Sequence, residues 1–158
     1  MRILGVDPGT HRIGYGLILR KPDLKPIDYG VIEIQKGSLL VAAKQFQKLL
    51  DKFQPNLVAI EKLFFSKNRK TALAVAQTRG ILILKILENK IPLVEYGPME
   101  VKQAVTGYGL SDKKAVSAMV RRFLKMKEIS GHDDASDALA IAITAANQLG
   151  LTEKIAKI

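Results

Sequence analysis

Arg2-Ile3-Leu4-Gly5-Val6-Asp7 and Leu57-Val58-Ala59-Ile60-Glu61 are two short apolar runs, each closed by an acid. The turn residues Pro8, Gly9 and Thr10 follow the first run directly, which marks residues 2–7 as a strand. The second run is continuous rather than alternating, the pattern of a strand buried on both faces. If the two strands pair in parallel, Asp7 and Glu61 project from the same edge of one sheet. Open α/β sheets bind their ligands at that edge.

Outward from these runs, residues 13–19 and 27–34 read as two further strands and residues 91–96 as a fifth. Leu39, Leu40, Ala43, Phe46, Leu49, Leu50 and Phe53 recur at intervals of three and four, so an amphipathic helix is expected there, ended by Pro55. Helices are also expected over residues 71–88, 98–105, 111–126 and 132–148, with Ser111 and Asp112 as start signals. Three early strands on short turns, then an alternation of helices and strands, predict an α/β fold with a five-stranded mixed sheet flanked by helices. We expect one domain over residues 1–150 and a short tail over 151–158. The 71–88 helix is apolar on more than one face, through Leu73, Leu82, Leu84 and Leu87 among others. One helix turns a single face to its own sheet, so the other is expected to meet a second copy of the chain.

The 158 residues are 47% hydrophobic and 25% charged, which excludes a disordered or fibrous chain. A net charge of +10 points to a polyanionic partner, nucleic acid first. The chain has no cysteine, so disulfides and thiolate metal sites are excluded. With no signal-like opening and no apolar run near the ~20 residues of a membrane span, a cytoplasmic protein is expected.

Acids carry the chemical signal. Asp134 and Asp137 lie three apart at the start of the last helix, hence on one face, with Asp133 beside them. A helix N-terminus favours acids through its dipole, and Asp133 and Asp134 fit that role. Asp137 lies one turn further in, before the apolar Ala138-Leu139-Ala140-Ile141, where an acid faces something that compensates it. Asp7 and Glu61, as strand-end carboxylates near the core, either meet a cation or shift their pKa. Oxygen donors of this kind suit Mg²⁺ or Mn²⁺ rather than Zn²⁺. Four of them are what a two-metal phosphodiester site requires. The Asp7-Pro8-Gly9-Thr10 turn also resembles the phosphate-binding hairpin of sugar kinase and actin-type ATPases, but those close two lobes over a nucleotide and need a considerably longer chain.

Basic residues cluster in two places. Lys62, Lys67, Arg69 and Lys70 interleave with Phe64 and Phe65 just after the second acidic strand end, an arrangement in which one ring is free to stack on an unpaired base. Lys113, Lys114, Arg121, Arg122, Lys125 and Lys127 load the 111–126 helix along a length suited to a phosphate backbone.

Together these residues resemble the RuvC family of Holliday junction resolvases. The likeness runs from Ile3-Leu4-Gly5-Val6-Asp7-Pro8-Gly9-Thr10 through Ala59-Ile60-Glu61-Lys62-Leu63-Phe64, Lys67-Asn68 and Val101-Lys102-Gln103 to Asp134-Ala135-Ser136-Asp137-Ala138-Leu139-Ala140. It implies a ribonuclease H-like fold and a homodimeric endonuclease that cuts four-way junctions symmetrically, leaving 5′-phosphate ends, in recombination and repair. It implies that Asp7, Glu61, Asp134 and Asp137 hold two Mg²⁺ ions per subunit, with Mn²⁺ as a substitute, and that Lys113 joins them in catalysis. DNA contacts are expected from Phe64, Lys67, Arg69, Lys70, Lys102, Lys113 and Lys114. A branch-migration motor of the RuvA and RuvB type and a place at the nucleoid are further expectations.

Overall fold

The computed structural model describes residues 1–63 and 69–155. Strands β1 (Arg2–Asp7), β2 (Arg12–Arg20), β3 (Leu24–Glu33), β4 (Leu57–Glu61) and β5 (Leu93–Tyr96) form a five-stranded sheet in the order β3-β2-β1-β4-β5. β1 pairs antiparallel with β2 and parallel with β4, β2 and β3 are antiparallel, and β4 and β5 are parallel. The sheet is therefore mixed. Helices α1 (Leu39–Phe53) and α2 (Arg69–Glu88) cover one face, and α3 (Pro98–Thr106), α4 (Lys113–Leu124) and α5 (Asp133–Ile155) cover the other.

Side chains on a strand alternate between the two faces. On β1, Leu4 and Val6 join the α1–α2 core with Phe46, Leu50, Leu82 and Ile86, while Ile3 faces the α3–α5 core with Leu139, Ile143 and Val120. On β4, Val58 and Ile60 go to the first core, Leu57 and Ala59 to the second. By the same alternation Asp7 and Glu61 fall in phase with the α5 face.

α5 crosses the sheet at close range because two strand positions lack a side chain. A β-carbon at Gly5 would collide with the carbonyl of Ala138 and lie 2.7 Å from the amide nitrogen of Ala142. One at Gly14 would collide with the carbonyl of Asp134. On the helix, Ala135, Ala138 and Ala142 are fully buried against these strands. Small residues on both partners let the backbones approach, and this lowers the first turns of α5 onto the end of β1.

β3 starts at Leu24, earlier than the sequence suggests, and runs through Pro26. Proline lacks an amide hydrogen and is tolerated only on edge strands or at bulges. β3 is the sheet edge, and its register shifts opposite Leu17 and Ile18, where Asp28 and Pro26 pair and Ile27 is skipped. α1 is capped by Ser38, whose hydroxyl accepts from the Val41 amide at 3.4 Å, and it ends at Gln54 in the left-handed region before Pro55. α5 continues beyond residue 148 to Ile155. Among the described residues no helix is long and apolar enough to cross a membrane.

Candidate active site

The parallel register sets Val6 opposite Ile60, the last registered pair of β1 and β4, so Asp7 and Glu61 stand side by side one residue further on. α5 supplies Asp134 and Asp137 above them. α3 and α4 close the far wall with Lys102 and Lys113. These six side chains line one cleft of about 380 Å³, whose remaining wall is apolar, from Pro98, Val101, Val116, Ala140 and Ile141.

The α4 end of the cleft is set by a cap. Asp112 accepts from the Ala115 amide at 2.8 Å and starts the helix, which puts Lys113 and Lys114 in its first turn. Cations there oppose the helix dipole, and no acid in that turn relieves them. Lys113 is compensated from outside instead: its Nζ lies 3.2 Å from Oδ2 of Asp137. Asp137 raises the Lys113 pKa further above its ordinary value.

Burial dominates the acids. Asp7 is pushed up to about 8 by loss of solvent, then by Glu61, Asp137 and Asp134, against a smaller opposing effect of Lys113. Glu61 is raised by burial and by Asp137, with Lys113 and Lys102 pulling it back. Asp137 is raised chiefly by burial, with Lys113 opposing and Asp134 and Asp133 adding to the rise. Three neighbouring carboxyls thus resist ionising together, and a cation placed among them would remove the conflict. With oxygen donors alone, the set fits a hard divalent ion. Among the described residues no three acidic or imidazole groups already stand as a ready-made ion site. Two of the four acids are engaged by protein cations, Asp137 by Lys113 and Asp134 by Arg12, whose Nε is 3.2 Å from Oδ2.

Of the other residues singled out from the sequence, Lys114 lies outside the cleft, on an adjoining groove that it lines with Ser117, Arg121 and Asp133. Asp133 is on that groove and Asp134 in the cleft, which separates the two members of the doublet. Arg69 and Lys70 open α2 and are exposed. Phe64 and Lys67, with Phe65, lie outside the described residues. Sequence reasoning missed Arg12. The hairpin Pro8–His11 returns the chain so that Asp7 pairs with Gly14, which brings Arg12 back beside the site; a charged residue opening the return strand was the available signal.

Residues 3–145 match the family model described as crossover junction endodeoxyribonuclease RuvC. The chain belongs to the RuvC family. A RuvC from Fusobacterium nucleatum is 44% identical over 156 residues, covering 95% of this chain and 82% of its own. One from Caldicellulosiruptor saccharolyticus is 43% identical and covers 90% of each chain. Membership makes this chain an endodeoxyribonuclease of the junction-resolving class, and RuvC enzymes are metal-dependent nucleases. The solved Thermus thermophilus RuvC superposes with a TM-score of 0.87 at 29% identity, over 96% of this chain and 97% of that one. The same enzyme in complex with a Holliday junction substrate gives 0.85 at 28%, over 96% of each. The yeast mitochondrial Holliday junction resolvase Ydc2, at 15% identity and a TM-score of 0.73, covers 96% of this chain and 80% of its own and shares the fold. That fold is ribonuclease H-like.

Proposed function

We propose that this chain resolves four-way DNA junctions by paired symmetric cuts, with Asp7, Glu61, Asp134 and Asp137 holding two Mg²⁺ ions per subunit and Mn²⁺ able to substitute. The observation that carries the reading is the convergence of four carboxylates and Lys113 on one cleft in a member of this family. The junction complex of the Thermus relative supports the substrate. When bound, the ions supply Lewis-acid chemistry, activating water and stabilising charge on the leaving oxygen. The protein's part is to gather the four acids from two strand ends and one helix, so that little reorganisation is needed at the reaction. Lys113 and Lys102 hold positive charge at the mouth, where a scissile phosphate would otherwise meet only carboxylates. Arg12 keeps Asp134 oriented. Cleavage leaves a 5′-phosphate and a 3′-hydroxyl. The test is to incubate the protein with labelled four-way, three-way and linear duplex DNA and an RNA–DNA hybrid, with and without Mg²⁺. Cutting confined to the four-way junction in Mg²⁺ is expected; preference for the hybrid would overturn the reading.

Affinity for the junction should fall steeply with salt, because cations that meet phosphate release counterions. Replacing Lys102 by Ala is expected to shallow the logarithmic salt dependence by about one unit. An unchanged slope would remove Lys102 from the phosphate contacts. Arg69, Lys70 and Lys114, with Phe64 and Lys67, complete the DNA surface in this reading, Phe64 stacking on an exposed base.

Two cuts need two sites, and α2 supplies a surface for a dimer. Leu73, Leu84 and Leu87 are 65%, 54% and 58% exposed and follow one another at helical spacing with the exposed Gly80 between them. Leu82, equally apolar, is fully buried in the chain's own core. Leu84→Lys should therefore give a folded monomer in equilibrium sedimentation, whereas the unaltered chain sediments as a dimer. A dimer that survives the change places the interface elsewhere. A branch-migration motor of the RuvA and RuvB type and a nucleoid location complete the proposal.

A further inference from the structure

The sheet leaves one carbonyl without a ladder donor at the point where the site begins. With Gly5 beside Ala59 and Val6 beside Ile60, the next step of the parallel register assigns the Glu61 carbonyl to the amide of residue 8. Residue 8 is proline and has no amide hydrogen. The side chain of Arg79, in the middle of α2 and only 17% exposed, fills the gap: its Nε donates to the Glu61 carbonyl at 2.9 Å. Its Nη2 pairs with the Glu95 carboxylate on β5. On the other side of β4, the Lys62 amide donates to the Tyr96 carbonyl at 2.8 Å. One guanidinium thus ties α2 to β4 and β5 at the residue whose side chain enters the acidic cleft.

We propose that Arg79 is a positioning residue that fixes the direction of the Glu61 carboxylate by taking the place of the ladder donor that Pro8 lacks. The inference rests on the reading of Glu61 as a functional acid. Arg79 reaches the cleft through backbone: without it the end of β4 has an unpaired carbonyl and freedom to turn, and the Glu61 side chain turns with it. The planar fork serves both partners at once, which a lysine ammonium does less well. Glu95 holds the fork in place, so it acts in the same direction with a smaller effect.

The test compares Arg79→Met, Arg79→Lys and Glu95→Gln with the unaltered protein, and uses Glu61→Gln as the reference. Junction affinity is measured without divalent ions, the single-turnover cleavage rate at saturating junction in Mg²⁺, and the rise in melting temperature on adding Mg²⁺ alone. Arg79→Met is expected to lose about 10–100-fold in rate, the cost of a small misplacement of a reacting group. Its junction affinity should be unchanged and its stabilisation by Mg²⁺ reduced. Arg79→Lys should recover part of the rate. Should Arg79→Met fail to fold, Arg79→Lys and Glu95→Gln carry the test, each with a reduced rate at unchanged affinity. A full rate well below the melting temperature would make Arg79 a merely structural residue and overturn the proposal. A loss confined to affinity and its salt slope would do the same, making it a DNA contact. Active Glu61→Gln would instead overturn the role of Glu61, leaving that failure distinct from failure of Arg79.

Discussion

Asp7→Asn is expected to abolish junction cleavage while junction binding stays intact or tightens. Asn keeps the shape of the side chain and, in the proposed reading, removes both a metal-binding oxygen and one negative charge from the cleft that receives phosphate. Asp7 has the most acid neighbours acting on it, Glu61, Asp134 and Asp137, so its loss disturbs the whole set. A loss of cleavage of about 10³-fold or more at saturating Mg²⁺ is the scale on which removal of a main transition-state stabiliser is felt. Glu61→Gln, Asp134→Asn and Asp137→Asn should behave alike, whereas Asp133→Asn, on the adjoining groove, should cut nearly normally. Gel-shift and cleavage assays on the same synthetic junction separate binding from cutting. Retention of a substantial rate by Asp7→Asn would refute the assignment of the cleft.

The second large effect is on stability, and it runs against the usual acid denaturation. Asp7 has a folded pKa of about 8 against an ordinary 3.8, so between those values the native chain holds a proton that the unfolded chain has released. Stability of the metal-free protein therefore falls as pH rises through this window and levels off above it. Glu61 and Asp137 are shifted in the same direction and add to the trend. Lys113, raised by Asp137, stays charged throughout. The Asp7 shift corresponds to at most about 6 kcal/mol, which in a chain of this size is roughly 10–20 °C in melting temperature. Divalent ions should reverse the loss, so the rise in melting temperature on adding Mg²⁺ should be large at pH 8 and small at pH 5. In Asp7→Asn the metal-free protein should melt higher than the unaltered chain at pH 8, with most of the pH trend gone. Melting curves at pH 5, 6.5 and 8, with and without Mg²⁺, decide the matter. A metal-free melting temperature that rises steadily from pH 5 to 8 would contradict the burial of these acids.

Local pattern was enough to place the elements. The apolar runs at β1 and β4, the three-and-four spacing of α1 and the Ser–Asp start of α4 all appear in the structure within a few residues of their expected bounds. Departures occur where tertiary position overrides a local signal. The strand expected over residues 27–34 starts at Leu24 instead, because on an edge strand at a bulge Pro26 is tolerated and β3 runs through it. The acids that share the cleft could be singled out in the sequence because carboxylates that end apolar strands, or follow the first turn of a buried helix, are costly to bury.

Which acids meet was another matter. Asp7 and Asp137 are 130 positions apart in the sequence, and what brings them together is the close crossing of α5 over Gly5 and Gly14, a backbone approach that neither glycine announces alone. The separation of Asp133 from Asp134 follows from the helical phase at which that crossing sets α5. Which leucine of α2 faces outward depends likewise on how the helix rolls against the sheet, burying Leu82 and exposing Leu84. Arg12 and Arg79 are ordinary surface-type cations in the sequence, and they acquire partners only through the hairpin register and the strand end that Pro8 leaves open. Residue type and spacing determined the elements and the chemistry available to them, since both act over a few positions of chain. Partners, directions and charge states were decided by the tertiary structure, because burial and electrostatic coupling depend on distance through space.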